Sequence, residues 1–570
     1  VSAREPDGAE SPVPDSPVPD SPVPEKAKQS ILASSAVMAA GTTFSRFSGF
    51  IRSALLVAAL GNGIQADTFQ VANTVPNMLY ILLAGGVFNA VLVPQLVRAL
   101  KNDADGGEAY TNRIITLAAL FLGAVSVLLV ALAPAVMALM LDNQYDSAAL
   151  AAQRESAIVL ARYCLPQVFF YGMFVLVGQV LNARGSFGPM MWAPIANNVI
   201  AVAVLGTYLV VFGPAADPSS ALTAERELLL GVGSTVGIAV QFLILVPVLR
   251  RVGFRYRPRF DFRHTGLGHT FRLAVWTVLF VVVNQAAYVV VTRLATRGSA
   301  DGGTGATVYG NTYLLTMLPH GIVTVSLVTA LLPRLSAYAA DGSLGRVGTT
   351  LASTLRTAML VVLPYAALLA VIGGDMANVI FGFGAGQGAF ASYRPGLAVF
   401  AVALVFFTVH FFMLRGFYAL EQTRTVFLVQ CVVGTVNVGA AIALVAVAPP
   451  RMTVAALAAA YALAYLAGSI VSWWVLRRQV GGLDERRTAR FAVRMLAVVA
   501  ISTAISYAVW WLLGGNDPDP TSLGSFLRGA VVGLCQLITY LVLTKVFRIR
   551  EMAEIIEPVR NAVLRRLGRV

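Results

Sequence analysis

Apolar runs of eighteen or more residues recur from end to end of this chain, and no other feature restricts its fold as much. A backbone crossing a membrane has no water to satisfy its N–H and C=O groups, so only helices and closed barrels span it. These runs are too long and too uniform for barrel strands, whose faces alternate. The expectation is an all-α polytopic membrane protein. Composition agrees, with 57% of residues hydrophobic and only 12% charged.

Hydropathy and helix breakers place fourteen transmembrane helices near residues 31–60, 68–100, 112–141, 156–182, 190–213, 228–250, 270–296, 307–338, 350–372, 393–420, 424–447, 453–476, 491–514 and 524–547. The second is long enough to kink at Pro76. Arginine placement tests this count, because loops on the cytoplasmic side are enriched in positive charge. The loop after the sixth span carries Arg250, Arg251, Arg255, Arg257, Arg259, Arg263 and Arg272, and the loop after the twelfth carries Arg477, Arg478, Arg486, Arg487, Arg490 and Arg494. The opposite loops "GNGIQAD" and "GGNDPDP" have no basic residue. Both termini are therefore expected on the cytoplasmic side.

An internal echo suggests duplication. "AVLVPQL" around Pro94 returns as "TALLPRL" around Pro333, and "ARGSF" at Arg184 returns as "LRGFY" at Arg415, 239 and 231 residues later. The expected division is a disordered Pro-rich cytoplasmic tail over 1–29, an N-terminal six-helix lobe over 30–251 and a C-terminal six-helix lobe over 252–480. Two additional transmembrane helices follow over 481–548, then a basic amphipathic cytoplasmic segment over 549–570. The tail carries the tandem pentapeptides "SPVPD", "SPVPD" and "SPVPE", too rich in proline for helix or sheet. The first residue is Val rather than Met, which reads as a fragment of something longer; separately, the basic amphipathic segment is expected to lead to a cytoplasmic regulatory domain or partner beyond the C-terminus.

Several chemistries are excluded. Lys26, Lys28, Lys101 and Lys545 are the only lysines and none follows glycine, so there is no Walker A loop to cradle nucleotide phosphates. Cys164, Cys431 and Cys535 are scattered in apolar surroundings and read as small buried residues. His264, His269, His320 and His410 have no metal-ligand spacing; His320, in "MLPHG", is expected to bond a neighbouring helix. The glycine-rich "FGFGAGQGAF" follows no strand and reads as a flexible outer loop. No enzyme, cofactor, metal or nucleic-acid partner is expected.

The informative residues are charges inside spans. Arg46 lies about 22 Å into the first span and Arg52 about 9 Å further, at ~1.5 Å per residue. A charge at such depth costs about 2.5–3.5 kcal/mol on insertion scales. Six residues at 100° each separate the two by 240°, so they share no face of a straight helix, and a bend at Gly49 would be needed to turn both towards one cavity. Few acids are available; Asp67, at the mouth of the second span, is the best partner. Arg293 and Arg297 add positive charge in the seventh span. A cationic cavity selects an anion, and the planar guanidinium fork suits phosphate. Amides such as Asn73, Asn77, Asn182, Asn197, Asn198, Asn284 and Gln285 serve either interhelical bonding or a polar headgroup.

At these residues the chain resembles a known family. "GTTFSRFSGFIRSALL", "ADTFQVANTVPNML" and "GGVFNAVLVPQL" between Gly41 and Leu96, then "LNARGSFGPMMWAPIANN" and "RGFYALEQTRT", are similar to the MurJ (MviN) family. These are lipid II flippases of the multidrug/oligosaccharidyl-lipid/polysaccharide exporter superfamily. The resemblance implies fourteen helices, two six-helix lobes around a central cavity, and a groove at the last two helices for a polyprenyl tail. It implies transport of undecaprenyl-pyrophosphate-linked disaccharide-pentapeptide from the inner to the outer leaflet of a bacterial cytoplasmic membrane for peptidoglycan synthesis. Arg46 and Arg52 fall on first-helix arginines implicated in headgroup recognition, and Asp67 on an acidic position before the second helix. Other family charges are replaced, by Ser53, Tyr80, Ile81, Gly85, Leu314 and Met317, with Arg293 offered as compensation.

The reading is a secondary-type lipid II flippase working by alternating access, with lipid II and membrane lipids as partners. Its substrate-binding residues are Arg46, Arg52, Asp67, Asn73, Asn77 and Arg293. The alternatives are a flippase for another polyprenyl-linked glycan and a membrane scaffold for cell-wall enzymes.

Overall fold

The computed structural model describes residues 25–83, 95, 96, 98, 99, 105–261 and 267–552. The pentapeptides before residue 25, the repeat around Pro94, Gly85 and the basic segment beyond residue 552 lie outside them. Among the described residues there are helices and no strands. In chain order they are α1 (Glu25–Leu60), α2 (Ile64–Ile81), α3 (Glu108–Ala131), α4 (Ala133–Met140), α5 (Ala151–Cys164), α6 (Gln167–Ala183), α7 (Gly188–Phe212), α8 (Ala224–Leu243) and α9 (Leu245–Arg251). They continue as α10 (Leu267–Ala300), α11 (Ala306–Thr316), α12 (Val325–Ala340), α13 (Leu344–Phe381), α14 (Ala389–Ala419), α15 (Thr423–Val447), α16 (Thr453–Val480), α17 (Glu485–Leu512) and α18 (Ser522–Val546).

Twelve of the described stretches are long and apolar enough to cross a membrane, and they coincide with the third to fourteenth expected spans. α1 occupies the first, while the second opens with α2 and runs on outside the described residues. The all-α membrane class therefore holds, and the described residues alone do not bring the count to fourteen. Residues 25–29, expected as extended tail, are already helical.

Proline explains where spans are broken. Pro134, Pro166, Pro247 and Pro319 follow or begin the joints between α3 and α4, α5 and α6, α8 and α9, and α11 and α12, where a missing N–H ends the intrahelical ladder. The last joint carries a π-helical turn, His320–Thr324. Pro76 instead sits inside α2, which is continuous to Ile81.

Packing divides along the chain. α1 packs on α7, α7 on α8, α2 on α5 and α3 on α6; further along, α13 packs on α14, α14 on α16, α15 on α16 and α10 on α15. Without a hydrophobic drive between helices in lipid, close approach at small residues matters. At Gly416 of α14 a Cβ would meet Leu476 of α16. The last two helices, α17 and α18, pack on each other and on α13. They are pinned by a buried ion pair, Arg528 with Asp375 of α13, to which Trp510 Nε1 also donates at 2.7 Å. At the other end of α13, buried Arg356 pairs with Asp484 at 3.1 Å and Glu551 at 3.4 Å. Asp375, one of the few acids bordering the spans, is thus committed to structure.

Candidate functional site: two cavities and a sealed seam

α1 runs unbroken through Gly49, and its two arginines diverge. Arg52 is half-buried and lines a cavity of about 320 Å3 together with Gln70, Asn73, Gln167, Tyr171 and Asn197. Arg46 points elsewhere, against Gly321 in the π-helical turn, where any Cβ would overlap its guanidinium. Asn198 braces this part of α1 from α7, donating to Ser45 O and Ser48 Oγ at 2.9 Å each. The helix is continuous through Gly49, and the two arginines reach different spaces.

A second cavity, about 620 Å3, lies between α2, α10, α11, α14, α15 and α16 and is lined by Asn77 and Arg415 among others. It shares Gln70, Tyr288, Gly310 and Tyr313 with the first, so the two spaces adjoin. Arg415 stacks over Phe411 at 4.1 Å, and its Nε is buried without a hydrogen-bond partner. Both Arg46 and Arg415 act electrostatically on His320, whose ring packs edge-on against Phe407 and Phe411 and whose Nδ1 has no partner. The interhelical bond expected of His320 is therefore replaced by ring contacts. Among the described residues no carboxylate pairs with Arg46, Arg52 or Arg415, and none lines either cavity. Guanidinium groups without counter-ions on and beside cavity walls favour an anionic ligand.

Two residues expected at this site have other work. Asp67 is completely buried and pairs with none of the arginines; its carboxylate accepts from the backbone N–H groups of Ala306 at 2.8 Å and Thr307 at 2.7 Å. It thus caps the N-terminus of α11, where the helix dipole and unsatisfied donors favour an anion. Arg293 donates to the carbonyls of Ala138 and Leu139 and to Asn143 Oδ1, tying down the end of α4. Neither lines the cavities, because span depth says nothing about which neighbour a side chain faces. Asn73 accepts from Gln167 at 3.0 Å on the first cavity's wall. Arg415 was legible only as part of "RGFYALEQTRT", with no sign of its unpaired state.

The Asp67 contact belongs to a buried seam beside the cavities, whose Asn311 also lines the first of them. Tyr393 donates to Asn62 at 2.8 Å and accepts from Asn311 at 3.0 Å. Gly61, at φ +78°, turns the chain between α1 and α2 and fits beneath Ala385 and Pro218. Val57 is fully buried against Gly386. From Leu60 at this seam, Arg52 lies about 12 Å and Arg46 about 21 Å along α1. A further apolar cavity of about 560 Å3 between α13 and α17 is lined by Ala367, Val371, Leu496, Val499 and Tyr507.

Comparison with known proteins gives this arrangement its context. A "Probable lipid II flippase MurJ" of Rhizobium meliloti (strain 1021) is 24% identical over 518 residues, covering 89% of this chain and 91% of the relative. A "Lipid II flippase MurJ" of Burkholderia cenocepacia is 28% identical over 396 residues, covering 67% and 72%. Among solved structures, a lipid II flippase MurJ in an inward closed conformation superposes with a TM-score of 0.69 at 17% identity, over 91% of this chain and 100% of that one. An inward-facing multidrug resistance MATE family transporter of the MOP superfamily gives 0.60 at 13% identity, over 77% and 96%. The family model "Lipid II flippase MurJ" matches residues 56–530, and the chain belongs to that family.

Proposed function

We propose that this protein moves lipid II, an undecaprenyl-pyrophosphate-linked disaccharide-pentapeptide, from the inner to the outer leaflet as a secondary-type transporter. The observation that carries the reading is the set of guanidinium groups on and beside the cavities, Arg46, Arg52 and Arg415, with no carboxylate to neutralise them among the described residues. Each planar fork donates two parallel hydrogen bonds to a phosphate, and a pyrophosphate supplies the charge the cavities lack. A cavity for organic cations would need acids, and none lines these walls.

In this reading Arg46 and Arg415 take the pyrophosphate from the cytoplasmic side, and Arg52 meets it in the adjoining cavity. The two six-helix lobes, 30–251 and 252–480, rock about the headgroup. Asp67 acts as a latch on the outer side, and Arg293 as a brace for the α4 loop. Asn73 and Asn77 bond uncharged parts of the headgroup. The polyprenyl tail stays in lipid along the apolar groove between α13 and α17. Both termini are cytoplasmic in a bacterial inner membrane. A ligand bound equally well in both states drives no net movement, so direction comes from membrane potential, an ion gradient or consumption of product outside.

The test is lipid II binding to the purified protein, measured by native mass spectrometry. Arg46→Ala, Arg52→Ala and Arg415→Ala are each expected to weaken binding about tenfold or more, as loss of a charge-assisted bond of ~1.5–3 kcal/mol requires. Undiminished binding by all three folded variants contradicts the proposed site.

A further inference from the structure

A fourth cavity, of about 290 Å3, lies between α12, α13 and the start of α17. Its charged lining is three guanidiniums and one carboxylate: Arg334 of α12, Arg356 of α13, Arg487 of α17 and Glu551. Arg356 is only 2% exposed, and its Nη1 is already met by Asp484 at 3.1 Å and Thr488 Oγ1 at 2.9 Å. Its Nε faces a single oxygen, Glu551 Oε1, 3.4 Å away, and Arg487 Nε approaches the same oxygen at 3.4 Å. At that separation the Arg356 Nε–H is left without a hydrogen-bond partner. Arg334 pairs with no carboxylate among the described residues. Ser353, Thr354 and Thr357 donate to carbonyls of their own helix, so recognition falls to the guanidiniums.

Glu551 underfills this site. A carboxylate presents two oxygens in one plane and one charge, and here one oxygen stands between two guanidiniums. A terminal phosphate presents three oxygens in a tetrahedral array and up to two charges, so it can bond several guanidinium forks at once. A phosphodiester keeps only two free oxygens and one charge and matches less well. Glu551 also sits on a part of the chain that is held by contacts rather than by a span. α18 ends at Val546, and the chain turns through Arg548, at φ +51°, to lay Ile549 and Glu551 back against the bundle, 5% and 8% exposed. Residues other than Gly visit that left-handed region uncommonly. We infer that the cavity binds a terminal phosphate, free or on a lipid headgroup of the phosphatidic acid kind, and that Glu551 is its resident competitor. Arg334, Arg356 and Arg487 grip the phosphate, Glu551 leaves, and the segment after α18 is released. The site shares no residue with the two cavities beside Arg52 and Arg415, so its occupancy is a signal separate from the transported substrate and does not rest on the lipid II reading.

The reporter is Ile549→Cys in the full chain without Cys164, Cys431 and Cys535, labelled by a soluble maleimide. In detergent, inorganic phosphate exchanged for chloride at constant ionic strength is expected to raise the labelling rate at least fivefold. Arg334→Gln should shift the half-effective phosphate concentration up about tenfold, the size of one lost charge-assisted bond. Glu551→Gln should label at the high rate in chloride and gain nothing from phosphate. In nanodiscs, a rate raised by phosphatidic acid and not by phosphatidylglycerol assigns the phosphate to a lipid, and a response to inorganic phosphate alone assigns it to a free ion. Labelling that neither inorganic phosphate nor phosphatidic acid changes overturns the site, as does a response that Arg334→Gln leaves intact. Slow labelling of Glu551→Gln overturns the part given to Glu551. A second measurement needs no cysteine: phosphate should raise the melting temperature of the wild-type chain more than that of Arg334→Gln, and an equal rise, or none, also overturns the site.

Discussion

Replacing Asp67 by asparagine keeps the shape of the latch and removes its charge. The carboxylate receives two backbone N–H groups at the start of α11. Asparagine offers one carbonyl oxygen to one of them and turns an NH2 donor towards the other. The loss is therefore about one charge-assisted hydrogen bond, ~1.5–3 kcal/mol, plus ~0.3–1 kcal/mol of interaction with the helix terminus. A total of roughly 2–4 kcal/mol is enough to bring a 99:1 preference for the sealed state to parity, which takes about 2.7 kcal/mol. The probe is Val57→Cys in a background without Cys164, Cys431 and Cys535, because Val57 has no exposed surface in the sealed seam. Its labelling by a soluble maleimide is expected to rise at least tenfold when Asp67→Asn is added. Gly305→Ala should produce the same rise with the charge intact, since its Cβ would overlap the Asp67 carboxylate. Unchanged labelling in both folded variants would refute the latch.

Two further outcomes follow from the packing. Gly321→Leu fills the space that Arg46 occupies; lipid II binding should fall about as far as in Arg46→Ala, and a variant that binds normally would detach Arg46 from the site. Asp375→Leu strands Arg528 as a buried unpaired charge, which costs ~3–5 kcal/mol. The melting temperature in detergent should drop sharply, and the double variant Asp375→Leu with Arg528→Met should recover most of it.

The spans were legible because apolar length and arginine asymmetry are properties of composition, and lipid leaves helices as the remaining solution. Joints were harder to read. Pro319 interrupts its span and Pro76 does not, and no local pattern separates the two. The candidate site was only partly legible. Arg46 and Arg52 stood out by depth, but depth is one coordinate and the facing neighbour another. Asp67 pairs with a helix end contributed 239 residues later, which no local pattern announces. Arg293 was drawn to the site by its charge and is spent on carbonyls of a short helix. Arg415 lies in "RGFYALEQTRT", which gives no sign that α14 sets it over Phe411.

The central claim is that this chain carries lipid II to the outer leaflet through arginines at Arg46, Arg52 and Arg415. Its most direct measurement is lipid II at the outer surface of cells depleted of the protein, in a strain with no second flippase, complemented by wild type or by Arg46→Ala, Arg52→Ala and Arg415→Ala. Depletion should clear outer-leaflet lipid II, wild type should restore it, and each variant should restore it poorly at equal abundance. Outer-leaflet lipid II that persists on depletion would contradict the transport claim, and full restoration by all three variants would contradict the arginine site.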